Sequence, residues 1–306
     1  MDGSLVVRID HLRRTYGPLV AVDDVSFQVR QGEIFGIVGP NGAGKTTMIE
    51  CIEGIREPDS GNVEVLGLHP LRDRYRLRQR IGVQLQQAAL PARIKVWEAL
   101  DLYSSFYDRS VPQESLLELL ELVDKRSTSY AKLSGGQRQR LFIALAIINN
   151  PELVFLDELT TGLDPQARHN MWDLVRSIRK EGKTIVLTTH FMEEAERLCD
   201  RVAVIDKGNI VALDRPESLI RNLGAEHRLV FTVEGSFDIL KLQALSAVSQ
   251  VVTVGDRVTV YGLGNSMVGD VVGVLGSEKI RYRDLRTEQP SLEDVFLKLT
   301  GHELRE

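Results

Sequence analysis

Apolar residues recur along this chain in two rhythms, short runs of strand type and longer stretches with helical spacing. Residues 5–9, 20–22 and 25–29 read as short strands around the turn Tyr16-Gly17-Pro18. Residues 34–38 form an unbroken apolar run, the pattern of a strand buried on both faces. Helical spacing takes over at residues 46–52, with Gly54 as a stop signal. Residues 96–108 and 113–123 carry the same period, the second with Leu116, Leu119, Leu120 and Val123 on one face. Leu141, Ala144, Leu145 and Ile148 make a further stripe, so residues 88–150 predict a mostly helical insertion. Beyond it, residues 153–156 and 184–188 are strand-type runs separated by a helix over residues 165–180. Strands alternating with helices predict an α/β architecture, a mainly parallel sheet covered on both faces.

The pattern changes near residue 225. Residues 229–233 read as a strand and 237–245 as a helix. Residues 251–254 and 257–260 flank Gly255-Asp256, a two-residue hairpin signal. A helix over 267–275 and a strand over 279–284 complete a β-α-β-β-α-β order, which predicts a small α+β ferredoxin-like domain. Ser291 is a candidate cap for a last helix with Leu292, Val295, Phe296 and Leu299 on one face.

Chemistry concentrates between the first buried run and the first helix. Gly39-Pro40-Asn41-Gly42-Ala43-Gly44-Lys45-Thr46 fits the phosphate-loop pattern G-x-x-x-x-G-K-[ST], in the strand-to-helix context that the pattern requires. Gly39, Gly42 and Gly44 let the backbone wrap closely and aim its N–H groups at phosphate oxygens. The helix that carries Thr46 and Thr47 presents its N-terminus to the same anion. Lys45 is expected to reach the β- and γ-phosphates, and the Thr46 hydroxyl to hold Mg²⁺. Asp157 closes an apolar run, where a carboxylate can hold Mg²⁺ directly or through water. Glu158, next to it, is the candidate that activates an attacking water. Ser134-Gly135-Gly136-Gln137 has the Ser-x-x-Gln form of a capping box, and a capped helix start with two glycines also suits a γ-phosphate; both readings can hold at once.

Composition narrows the class of partner. With 38 basic and 43 acidic residues, the net charge of −5 argues against a general nucleic-acid binder, and no nucleic-acid partner is expected. The alternating Arg72, Arg74, Arg76, Arg78 and Arg80 read as a solvated surface rather than a phosphate site. Cys51 and Cys199 form no CxxC pair, which suits a reduced cytoplasmic setting. No run of about 18 apolar residues occurs, so a transport role would place the membrane path in another chain.

Taken in order, the phosphate loop, Ser134-Gly135-Gly136-Gln137 and Asp157-Glu158 resemble the ATP-binding-cassette (ABC) ATPases. The resemblance implies an ABC ATP-binding domain over residues 1–224, with an antiparallel β subdomain and the helical subdomain, then an accessory or dimerisation domain over residues 225–306. It implies ATP hydrolysis with Mg²⁺. In that family the Ser134–Gln137 segment would face the nucleotide of a second subunit, so one loop and one such segment per chain imply a head-to-tail homodimer enclosing two ATPs. Tyr16 resembles the aromatic that stacks on adenine, and it equally suits the turn before Gly17-Pro18. Gln86, flanked by Gln84 and Gln87, resembles the glutamine that senses the γ-phosphate and its metal. Asp164 resembles the loop that crosses the dimer interface, and equally suits the N-cap before Pro165. His190 resembles the histidine that contacts the γ-phosphate, while Leu159 stands where the family commonly has proline.

His190-Phe191-Met192-Glu193-Glu194-Ala195-Glu196 and the tail Pro290-Ser291-Leu292-Glu293-Asp294-Val295-Phe296 are similar to ATP-binding subunits of ABC-2-type exporters, above all the daunorubicin-resistance group of bacterial drug-export ATPases. This implies two copies peripheral on the cytoplasmic face of the cell membrane, beneath separate integral membrane permease subunits. They would power export of a drug, lipid, glycan or ion. A soluble ABC ATPase acting on ribosomes or DNA is the competing class, against which stand the single cassette and the short helical insertion.

Overall fold

The computed structural model describes residues 4–84, 89–222, 227–235, 238–262 and 266–301. It opens with a hairpin, β1 (Leu5–Tyr16) pairing antiparallel with β2 (Leu19–Arg30). Both strands are longer than the short apolar runs predict. Positive φ at His11 and Asp24, together with register shifts, lets the ladder bulge past polar residues that interrupt the alternation. β3 (Ile34–Val38) leads through the glycine-rich loop into α1 (Lys45–Ile52), and β4 (Ser60–Val65) returns to the free side of β1. There follow α2 (Arg74–Arg78), β5 (Ile81–Gln84), α3 (Val96–Ser104), α4 (Gln113–Leu119) and α5 (Gly135–Ile147). The unit closes with β6 (Leu153–Asp157), α6 (Pro165–Lys180), β7 (Thr184–Thr189), α7 (Met192–Leu198), β8 (Arg201–Asp206) and β9 (Asn209–Asp214).

The main sheet runs β5-β6-β7-β3-β8-β9, parallel except for the antiparallel β8–β9 edge. β3, β6 and β7 are buried along their whole length, as continuous apolar runs covered on both faces should be. The parallel sheet predicted from the alternation is present, and beside it are the antiparallel β2-β1-β4 sheet and a helical segment between β5 and β6 that the resemblance implies. Within that segment the predicted helix over residues 113–123 ends at Leu119. Glu121 takes a positive φ and Val123 is 53% exposed, so Val123 leaves the stripe that Leu116 and Leu120 keep.

α6 shows how local chemistry fixes an element beside the site. Asp164 caps it by accepting from the Ala167 N–H at 2.9 Å, and Pro165 fills the first helical position. Its apolar face buries Met171, Trp172, Leu174, Val175 and Ile178. The Trp172 indole N–H donates to Glu194 Oε1 of α7 at 3.0 Å in the interior. Burial pushes the Glu194 carboxyl up, with the hydrogen bond from Trp172 among the contacts that oppose it. Trp172→Phe removes that donor while keeping an aromatic ring, and is expected to cost about 1–3 kcal/mol of stability, as for a buried acceptor losing its partner. Urea unfolding monitored by far-UV circular dichroism checks this; an unchanged midpoint would mean that the indole bond contributes nothing.

The first compact unit ends at Pro216 and the second begins at Glu217. α8 (Pro216–Asn222) opens at that boundary, followed by β10 (His227–Glu234), α9 (Leu240–Gln243), β11 (Val248–Val254), β12 (Arg257–Gly262), α10 (Met267–Ser277), β13 (Arg281–Glu288) and α11 (Leu292–Thr300). Its sheet is antiparallel with order β11-β12-β10-β13. Leu229, Phe231 and Val233 alternate along β10 into a core shared with Leu242, Val258, Val260, Met267, Val271 and Leu275.

Candidate active site

The loop between β3 and α1 is shaped by close backbone approaches. A Cβ on Gly39 would lie 2.2 Å from the Ile205 carbonyl oxygen, and one on Gly44 would lie 2.1 Å from that of Ala21. Gly44 also has φ 102° where it caps α1, a conformation that L side chains avoid. These contacts bind the loop to β8 and β2, so its curvature is preset. Asn41, Gly42, Gly44, Lys45, Thr46 and Thr47 then line a cavity of about 520 Å³, shared with Tyr16, Leu19, Val20, Ala21, Glu158 and Lys207.

Lys45 is the buried cation of this cavity. Its Nζ donates to the carbonyl oxygens of Gly39 (2.8 Å) and Pro40 (3.0 Å) and lies 3.6 Å from Glu158 Oε1. Burial holds the Lys45 ammonium below its ordinary range, while Glu158 and then Asp157 pull it back up. An incoming polyanion acts in the same direction as those carboxylates, so the site strengthens its cation when it is filled.

β6 and β7 together set the acidic side. Asp157 is the last residue of β6, buried, and accepts from the Thr188 hydroxyl of β7. Burial pushes the Asp157 carboxyl up, and the Thr188 bond opposes it. Glu158 follows at φ 48°, with its N–H donating to both Thr188 O and Thr188 Oγ1 at 3.1 Å. That left-handed residue turns the Glu158 carboxylate back toward Lys45 and toward His190, whose Nδ1 is 3.5 Å from Glu158 Oε1. Leu159, which follows Glu158, is buried.

The structure thus brings together Lys45, Glu158 and His190, with Asp157 near enough to act on the Lys45 titration. Tyr16 stands at the cavity edge, 37% exposed, with the guanidinium groups of Arg14 and Arg56 at 5.2 and 5.1 Å from its ring. Thr46 is exposed in the cavity. Ser134–Gln137 does not line this cavity. The Ser134 hydroxyl accepts from the Gln137 N–H at 3.3 Å and the Gln137 side chain accepts from the Ser134 N–H at 3.0 Å, a closed capping box at an exposed helix start. Asp164 is likewise elsewhere, as the cap of α6. Gln86 lies outside the described residues.

Two contributors escape the sequence reading. Thr188 positions both Asp157 and Glu158, and its only signal is a hydroxyl at the end of an apolar run. Lys207 reaches the cavity from the β8–β9 turn with φ 46°, and nothing local marks it. As for metal, the Thr46 hydroxyl and the Asp157 carboxylate are hard oxygen donors, a set that fits Mg²⁺ shared with phosphate oxygens.

Comparison with known proteins gives a consistent result. A profile of the ABC transporter family matches residues 22–161. The Nod factor export ATP-binding protein I of Rhizobium etli is 42% identical over 303 residues, covering 95% of this chain and 92% of that protein. The protein of the same name from Ralstonia nicotianae is 38% identical over 316 residues, covering 98% and 95%. Among solved structures, an ATP-binding subunit of an ABC transporter matches with a TM-score of 0.65 and 28% identity over 72% of this chain and 93% of that one. A dimeric post-hydrolysis state of the ATP-binding cassette MJ0796, bound to ADP and Pi, matches with a TM-score of 0.62 and 26% identity over 68% and 98%.

Proposed function

The chain belongs to the ABC transporter family of ATP-binding proteins, and from that membership we propose that it powers export through separate integral membrane subunits. It is an ATPase. The observation that carries the site reading is the meeting of Lys45, Glu158 and His190 within 3.6 Å at the mouth of the phosphate loop. Likeness to Nod factor export ATP-binding proteins over nearly the whole chain supports the export direction.

In this reading the loop N–H groups and the start of α1 hold the β- and γ-phosphates, and Lys45 supplies concentrated charge against them. Tyr16 offers its ring to the adenine. Thr46 and Asp157 would hold Mg²⁺, which would supply charge neutralisation for the phosphates. Glu158 orients a water and takes its proton, and His190 steadies the Glu158 carboxylate and faces the γ-phosphate. Gln86 senses the same phosphate.

Ser134–Gln137, exposed and away from its own chain's cavity, closes over the nucleotide of a second copy; Asp164 reaches across the same interface. Two ATPs bridge the head-to-tail pair only in the closed state and so shift the equilibrium toward closure. Loss of the γ-phosphate contact permits reopening. The second compact unit stabilises or regulates the pair.

Among the described residues no helix is long and apolar enough to cross a membrane. In this reading, which rests on family membership, the membrane path comes from partner chains and this chain is peripheral on the cytoplasmic face. Purification of the tagged chain from detergent-solubilised native membranes, followed by mass spectrometry, tests this. A polytopic membrane protein in comparable amount is the expected companion. Ribosomal proteins or DNA in its place, with no membrane protein, would leave the ATP chemistry standing and overturn the exporter.

A further inference from the structure

A second cavity, of about 500 Å³, opens between the end of α1 and the helical segment, apart from the phosphate loop. Its walls are aromatic: Tyr75, Tyr103, Phe106, Tyr107 and Phe142. One acid interrupts them. Glu53, the C-cap residue of α1, is 4% exposed, lines the cavity, and leaves its Oε2 without a hydrogen-bond partner among the described residues. A buried carboxylate without a donor is costly, and native structures keep such groups rarely.

The surroundings leave that carboxylate in want of a positive charge. Burial, with Asp157 and Glu50 nearby, pushes it up to about 8. The neighbouring Glu50 is already paired with Arg56 at 2.6 Å. Arg78 also lines the cavity, yet its charge acts on Tyr107 and it makes no pair with Glu53. At the rim, Tyr75 is 67% exposed, Phe106 61% and Ile55 49%. Large exposed apolar side chains around a pocket mark a protein contact, and arginine and tyrosine are among the residues most enriched at the anchors of such contacts.

We propose that this cavity seats a cationic side chain, arginine or lysine, presented by a second protein, and that Glu53 is the charge that selects it. The aromatic walls hold the apolar stem and face the cation with their ring quadrupoles, while the Glu53 carboxylate pairs with the head group. A neutral or acidic side chain in the same place would leave Glu53 unpaired. The occupant's being a protein rests on the reading of the chain as a subunit docked on a partner; the preference for a cation does not.

The test uses the full chain and two probes of the same shape, phenethylguanidinium and neutral phenethylurea, followed through the methyl resonances of Ile55 and Ile81. The guanidinium is expected to bind saturably, and the urea roughly tenfold or more weakly, the difference a charge-assisted bond supplies. Glu53→Gln is expected to abolish the preference without changing ATP affinity, and Glu53→Asp to keep part of it. Equal binding of the two probes by the unaltered chain, or an undiminished preference in Glu53→Gln, overturns the proposal. A photo-crosslinker replacing Tyr75, used in native membranes, reads the source. The expected adduct is a partner segment with Arg or Lys, lost on Glu53→Gln; a segment without a basic residue, or no adduct at all, overturns the protein occupant. ATP hydrolysis assayed on the same samples separates the two levels: its absence from the unaltered chain sinks the functional reading and leaves the guanidinium result to be judged alone.

Discussion

Glu158→Gln is expected to bind ATP as the unaltered chain does and to hydrolyse it about 100- to 10,000-fold more slowly, the usual contribution of a positioned general base. The geometry argues for a selective loss. Glu158 Oε1 is 3.6 Å from Lys45 Nζ and 3.5 Å from His190 Nδ1, so glutamine can keep its place between them while losing the ability to take a proton. The backbone that aims it does not change, because its N–H remains bonded to Thr188 and both residues must adopt the same φ of 48°. Nucleotide affinity rests on other groups, the loop N–H donors and Lys45. Steady-state phosphate release and equilibrium titration with a fluorescent ATP analogue separate the two effects. Near-normal turnover in the variant would remove Glu158 from the chemistry.

The contrast between Glu158 and Thr188 shows what a sequence can carry. A phosphate loop is written in residue types because the ligand is bound by backbone: only glycine tolerates the approach of Gly39 to Ile205 and of Gly44 to Ala21. β6, which delivers Asp157 and Glu158, and β7 beside it are equally legible, being apolar runs buried on both faces. By contrast, the meeting of β6 with β7 sets the direction of the Glu158 side chain, and no neighbour in sequence reveals that Thr188 will bond both the Asp157 carboxylate and the Glu158 backbone N–H. Lys207 and Glu53 are hidden for the same reason: a lysine in a turn and a glutamate at a helix end are ordinary until the fold closes around them. Element ends are also set from outside, as the positive φ of Glu121 shows by stopping the stripe before Val123.

Ser134→Arg is expected to abolish hydrolysis while leaving nucleotide binding by the single chain intact. Ser134 caps α5 through its bond with Gln137 and lies outside the cavity that its own phosphate loop lines. A long guanidinium side chain there cannot disturb Lys45 or Thr46 of the same chain. It does occupy the surface on which a second copy's γ-phosphate would be received, and the two-fold pair cannot close. Loss of the cap adds a separate cost of about 0.5–2 kcal/mol, which a control must remove. Ser134→Ala supplies it: the cap is lost but the surface stays open, so that variant should keep measurable hydrolysis with a lowered unfolding midpoint. In the unaltered chain the specific rate should rise with protein concentration as pairs form, and in Ser134→Arg it should stay at background at every concentration. If the single chain of Ser134→Arg fails to bind ATP although it is folded, the segment acts on its own chain's nucleotide, and the shared site between two copies is wrong.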